Sequence, residues 1–133
     1  MKPIFLDTVG LIALWETKDQ WHSLAVEAFA QLLSEGAPVV TTPQVLLECA
    51  NAVSRRPSRQ DVIDLRKELI SIDALISPTV DEEMEAWLNY EKNFAGQAGV
   101  IDHLSFLVMK RLGVTDAFTN DKHFEYAGFV TLF

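Results

Sequence analysis

The chain has 133 residues, 49% hydrophobic and 23% charged, and its 19 Asp and Glu against 11 Lys and Arg leave a formal net charge of -8. That length and apolar fraction suit one domain over residues 1–133 with a single core, and with 6 Gly and 5 Pro they exclude disordered and collagen-like chains. One cysteine, Cys49, permits no internal disulfide, no apolar run approaches the roughly 20 residues of a membrane span, and Met1-Lys2-Pro3 does not open a signal peptide, so a cytoplasmic protein with no membrane contact is expected.

Residues 4–6 form a short apolar run that stops at Asp7, and Leu11, Ile12, Leu14 and Trp15 then follow at helical spacing. From Gln20 to Glu35 the apolar residues keep the i, i+3, i+4 rule and Gly36 supplies a stop, so strand, turn and two helices are expected. Residues 37–41 read as a second strand. Thr42-Pro43 then opens a helix with a capping hydroxyl and a proline at its first position, expected to run to about Arg56. A helix from Pro57-Ser58 to about Ser71, a third strand over 72–77, a helix over 81–94 and another over 100–112, ended by Gly113, come next. Gly96 to Gly99 is the loosest stretch, and strands four and five are expected over 114–119 and 129–132. Strands separated by helices favour an α/β fold with a largely parallel five-stranded sheet.

In such a sheet the reactive edge lies where strands end and helices begin. Asp7 ends the first strand, and Glu48 lies in the helix after the second, where the backward tilt of helical side chains lets it reach the same edge. Asp102 falls in the first turn of the helix before strand four, and Asp121 follows that strand. Singly, these are ordinary turn, solvated-face, helix-start and cap residues. Together, four carboxylates on one rim repel unless a cation sits among them, and a hard cation with oxygen ligands, Mg²⁺ with Mn²⁺ as the alternative, answers that repulsion. Asp116 precedes Asp121 by five residues along a strand, about 16 Å, and is assigned to the opposite end of the sheet.

Asn51 and Arg55 lie three and seven positions after Glu48 and are expected on its helix face, Asn51 to bond a carboxylate or its water and Arg55 to touch phosphate. The plain alternative is a solvated polar stripe. Arg55, Arg56, Arg59, Arg66 and Lys67 are the one basic concentration in an acidic chain. Cys49 reads as core, and His123 as an orienting or packing residue beside Phe124. His103 could sit near the rim, though Asp102 is the better ligand for Mg²⁺. Trp15, Trp21 and Phe29 read mostly as core, any exposed remainder offering an apolar groove to a partner.

The blocks Phe5-Leu6-Asp7-Thr8, Leu47-Glu48-Cys49-Ala50-Asn51, Ile101-Asp102-His103-Leu104-Ser105-Phe106 and Ala117-Phe118-Thr119-Asn120-Asp121-Lys122-His123-Phe124, with Gly128-Phe129, resemble the PIN-domain family, particularly its VapC-like toxin members. The resemblance runs through essentially the whole chain and is most specific in its last block. It implies a three-layer α/β/α PIN-like fold and a Mg²⁺-dependent endoribonuclease. It matches Asp7, Glu48, Asp102 and Asp121 to the family's acidic metal-binding residues and Thr119 to a supporting hydroxyl. Val9 departs from the family's pattern at a position where a small polar residue is common, and it cannot make a side-chain hydrogen bond there. The implied partners are an RNA substrate, a second copy of the chain and, for a toxin, a cognate antitoxin. The rival readings are a solitary RNA-processing nuclease, a non-catalytic binding module and a receiver-like phosphorelay domain. The last needs paired acids after strand one, where Leu6 precedes Asp7, and a phospho-accepting Asp at the end of strand three, which instead ends Ile76-Ser77-Pro78.

Overall fold

The computed structural model describes residues Met1–Phe133. In chain order the elements are β1 (Ile4–Leu6), α1 (Thr8–Trp15), α2 (His22–Glu35), β2 (Val39–Val40), α3 (Pro43–Ala52), α4 (Arg59–Ser71), α5 (Val80–Glu91), α6 (Phe94–Gln97), α7 (Val100–Leu112), β3 (Asp116–Phe118), α8 (Lys122–Tyr126) and β4 (Val130–Thr131). The sheet order is β2-β1-β3-β4 and every pairing is parallel. Each strand is therefore reached by a crossover through helices.

β1 is central and buried along its whole length, which explains its unbroken apolar triplet. Phe5 faces Val40 on one side and Ala117 on the other, and Leu6 pairs with Phe118. That register puts Asp7 and Thr119, the residues after Leu6 and Phe118, side by side. The core gathers Phe5, Leu6, Leu11, Val45, Met109, Phe118 and Phe124 around this strand pair. α1 presses so closely on β3 that a Cβ at Gly10 would lie 2.0 Å from the Phe118 carbonyl oxygen.

The expected caps form. Thr42 Oγ1 accepts the Val45 N–H at 3.2 Å, and Gly36 and Gly113 end α2 and α7 in the left-handed conformation. Two expectations are corrected. The third expected strand is reduced to a single bridge between Thr41 and Leu75, so the sheet has four strands where five were expected. Its ladder cannot lengthen, because Thr42 already caps α3 and Asp73, at φ 54°, turns the chain away. The helix after β2 ends at Ala52 with Val53 as its cap, short of Arg56. Arg55 consequently sits on the turn between α3 and α4 and not on the helix face that carries Glu48.

Candidate active site

Asp7 leaves β1 as the N-cap residue of α1 and is buried. Its Oδ2 accepts the hydroxyl of Thr119 at 2.8 Å, and Thr119 Oγ1 in turn accepts the Asp121 N–H at 3.1 Å. One buried threonine thus ties the ends of the two central strands to the segment that carries the next carboxylate. Beside them Thr41 Oγ1 donates to the Leu6 carbonyl at 2.6 Å, fixing the residue before Asp7.

Glu48 projects from α3 to the same edge, where its Oε1 accepts the hydroxyl of Thr8, the residue after Asp7. Asp102 is the third residue of α7, and its Oδ2 accepts the Gly99 N–H at 3.2 Å, so it caps its own helix while facing the rim. Asp121 caps α8: its Oδ1 accepts the His123 N–H at 2.9 Å and lies 2.7 Å from His123 Nδ1. The other ring nitrogen of His123 is 3.2 Å from the Gly96 carbonyl. Ligand atoms of Asp102, Asp121 and His123 all lie within 4.8 Å of one another.

The carbonyl that holds His123 belongs to an unusual turn. Asn93, Ala95, Gly96 and Gln97 all have φ between 53° and 67°. For Ala and Gln this conformation costs on the order of 1 kcal/mol each, and it persists because the surrounding packing imposes it.

Burial, and then the charges of Asp102 and Asp121, push the Asp7 carboxyl up to about 8, against the lowering effect of the Thr119 hydroxyl. Asp102 is pushed up to about 6 by burial and then by Asp121. Burial and the nearby Asp7 charge push the Cys49 thiol up to about 12, which makes it an inert core residue. The ion pairs of the molecule join Arg56 to Glu16, Arg111 to Glu82 and His123 to Asp121, so no lysine or arginine neutralises Asp7, Glu48 or Asp102. A hard divalent cation fits this donor set, since it supplies the missing positive charge and takes carboxylate oxygens as ligands.

A model of the PIN domain matches residues 4–130. The chain belongs to the PIN-domain family. Among its curated relatives is the 23S rRNA-specific endonuclease VapC20 of Mycobacterium tuberculosis, in strains CDC 1551 / Oshkosh and H37Rv, 30% identical over 128 residues that cover 96% of this chain and 95% of the relative. Among solved structures, the crystal structure of M. tuberculosis VapC20, described as a sarcin-ricin loop cleaving toxin, superposes with a TM-score of 0.77 at 27% identity and covers 96% of both chains. The protein is thus a PIN-domain homologue of VapC-type ribonuclease toxins.

The other residues singled out in the sequence take separate places in this PIN domain. Asn51 is exposed on α3, three positions after Glu48, and its side chain makes no hydrogen bond. Asp116 opens β3, accepts the Thr115 hydroxyl at 2.9 Å and pairs with Val130, at the end of the strand away from Asp121. His103 is buried between Phe94 and Phe106 with both ring nitrogens unpartnered, and burial holds its pKa below the usual imidazole value. Sequence reasoning gave no role to Thr8, whose bond to Glu48 joins residues 40 apart, or to Gly96, whose carbonyl holds His123. The Asp7-Thr8 pair was a visible signal for the first; the second had none beyond its place in a Gly-rich stretch.

Proposed function

We propose that this PIN-domain chain is the cytoplasmic endoribonuclease toxin of a toxin–antitoxin pair, and that Asp7, Glu48, Asp102 and Asp121 hold the Mg²⁺ or Mn²⁺ on which hydrolysis depends. The observation that carries the reading is that these carboxylates from four segments feel one another's charge, Asp7 that of Asp102 and Asp121 and Asp102 that of Asp121 and Glu48, with no lysine or arginine to balance them. When bound, such a cation supplies an activated water and offsets charge developing on the phosphate oxygens. The chain's own residues do the rest. Thr119 holds Asp7, Thr8 holds Glu48, the Gly99 N–H holds Asp102 and His123 holds Asp121, so the ligand oxygens are preorganised without a side-chain nucleophile. Asn51, one turn along α3 from Glu48 and free of other side-chain partners, bonds a water of the bound cation, and Arg55 takes a phosphate of the bound strand.

The curated relative acts on 23S rRNA, which makes ribosomal RNA the first substrate to test. For the antitoxin, the groove between α3 and α4, a cavity of about 380 Å³ lined by Leu46, Leu47, Val62, Ile63 and Leu75, takes apolar side chains, while an arginine of the antitoxin meets the carboxylates. A second copy of the chain pairs through the early helices, where Trp21 and Leu24 remain exposed; light scattering should give twice the 14.9 kDa of one chain.

The deciding experiment is cleavage of ribosomal RNA by the purified protein with Mg²⁺ or Mn²⁺ and with a chelator. Cleavage is expected only with the cation, together with a higher melting temperature. Cleavage that persists in excess EDTA overturns the metal assignment.

A further inference from the structure

Tyr126, the last residue of α8, is 64% exposed, and its side chain takes no part in the core and makes no hydrogen bond, yet its ring packs against the turn beside it. The ring lies against the left-handed turn, so close that a Cβ at Gly96 would sit 3.0 Å from Tyr126 Cδ2 and 3.2 Å from Cε2. Its centroid is 6.3 Å from that of His123, edge to face at 86°, and His123 is bonded to Asp121. The only glycine of the turn's three consecutive left-handed residues stands where the ring needs room. An aromatic plane is therefore fixed in orientation, open to solvent, and one side chain removed from the carboxylate rim.

We propose that Tyr126 is a stacking platform for an unpaired base of the RNA substrate next to the phosphate positioned at the carboxylates. The inference rests on the ribonuclease reading above and deepens it by naming a substrate-binding residue. Single-stranded bases are recognised by stacking on aromatic side chains, and a ring whose rotation is already restricted loses little entropy when a base lands on it. Around α8 and the turn, Lys122 and Gln97 are exposed together with Glu125 and Phe94, so a second aromatic lies open on the same turn and Lys122, at the start of α8, is the cation available to a phosphate next to the stacked base. Such a contact tolerates different bases and acts on strand position rather than on the hydrolytic step.

The test compares Tyr126→Phe, Tyr126→Leu and Tyr126→Ala with the wild-type protein in Mg²⁺ on ribosomal RNA. In parallel, 2-aminopurine fluorescence is read in a short single-stranded RNA bound to the same set in an Asp7→Asn background. Phe should keep the wild-type kcat/KM and quench the probe, while Leu and Ala should lose about 5- to 150-fold in kcat/KM, chiefly through KM, and lose the quenching, with melting temperatures unchanged. Leu or Ala variants matching wild type overturn the proposal, and so does a Phe variant that falls as far as Leu. A ring needed for antitoxin binding but not for RNA does the same. If the wild-type protein itself cuts no RNA, the ribonuclease reading falls and the stacking inference with it.

Discussion

The hydroxyl of Thr119 lies 2.8 Å from Oδ2 of Asp7 across a sequence separation of 112 residues, joining the ends of the two central strands at the acidic rim. Because both residues are buried, replacing the hydroxyl by a methyl leaves a carboxylate and the Asp121 N–H short of a partner. Thr119→Val should cost about 1–3 kcal/mol of stability and raise the Mg²⁺ concentration needed for cleavage, whereas Thr119→Ser should keep most of both. Thermal unfolding and a metal titration of RNA cleavage decide it; a Val variant equal to wild type would show that the bond holds nothing in place.

The raised carboxyls set a pH dependence whose sign is fixed. In the cation-free protein Asp7 titrates near 8 and Asp102 near 6, both above the 3.8 of an unperturbed aspartate. The folded state therefore holds protons that the unfolded chain has released, and stability falls as pH rises from about 4 through about 8. In EDTA the melting temperature should decline across that window, and saturating Mg²⁺ should flatten the decline because the cation competes with the protons. Asp7→Asn should remove the larger part of the slope. A flat profile in EDTA would mean that neither burial nor the neighbouring charges raise these carboxyls.

The site was more legible in the sequence than its surroundings. Strand ends and helix tilt alone set Asp7, Glu48, Asp102 and Asp121 toward one edge, because short buried strands such as Ile4–Leu6 leave little choice of register. Local chemistry also fixed Thr42, Gly36 and Gly113 as helix boundaries. What could not be read depends on tertiary closure. The stretch over 72–77 is apolar enough for a strand, yet its neighbour β2 is only two residues long, and Asp73 before the bridge and Thr42 after it turn their chains so that one bridge remains. Nothing in Asn93-Phe94-Ala95-Gly96-Gln97 announces a left-handed turn. Ala and Gln disfavour it, and only packing against His123 and Tyr126 makes it worthwhile.

Gly10 is the position where α1 is brought hardest against β3. A Cβ there meets the backbone oxygen of Phe118 at 2.0 Å and the ring of Phe118 at 2.8 Å, and the backbone cannot yield as a flexible side chain could. Gly10→Ala should destabilise the protein by more than about 2 kcal/mol, despite the better helix propensity of alanine, and should lower activity by shifting Asp7 at the start of the same helix. Chemical denaturation checks the first effect and cleavage at saturating Mg²⁺ the second.

Asp7→Asn and Asp116→Asn form a matched pair on neighbouring strands. Each removes one charge with almost no change of volume, but Asp7 is buried at the rim while Asp116 is half-buried at the start of β3. The Asp7 variant should fold, melt higher than wild type at neutral pH without cation, and lose turnover. The Asp116 variant should cleave nearly as wild type. Equal losses of turnover in the two would mean that the wrong edge of the sheet has been taken for the active one.

Arg55 differs from its basic neighbours in being uncommitted. Arg56 pairs with Glu16 and Arg59 donates to the Ser54 carbonyl at 3.2 Å, so both hold the turn between α3 and α4, while Arg55 is exposed on that turn without a protein partner. A guanidinium offers phosphate a planar fork that lysine lacks, and phosphate contacts position a strand without reading its bases. Arg55→Ala should therefore weaken RNA binding by about 1 kcal/mol for unrelated sequences alike and reduce the slope of log affinity against log salt by about one, with Arg55→Lys recovering the slope better than the affinity. Arg56→Ala should act instead on stability, by freeing Glu16. The measurement is affinity for two unrelated single-stranded RNAs at several salt concentrations. If both affinity and slope stay at the wild-type value in Arg55→Ala, the RNA approaches the rim from the side of Lys122 and Tyr126 alone.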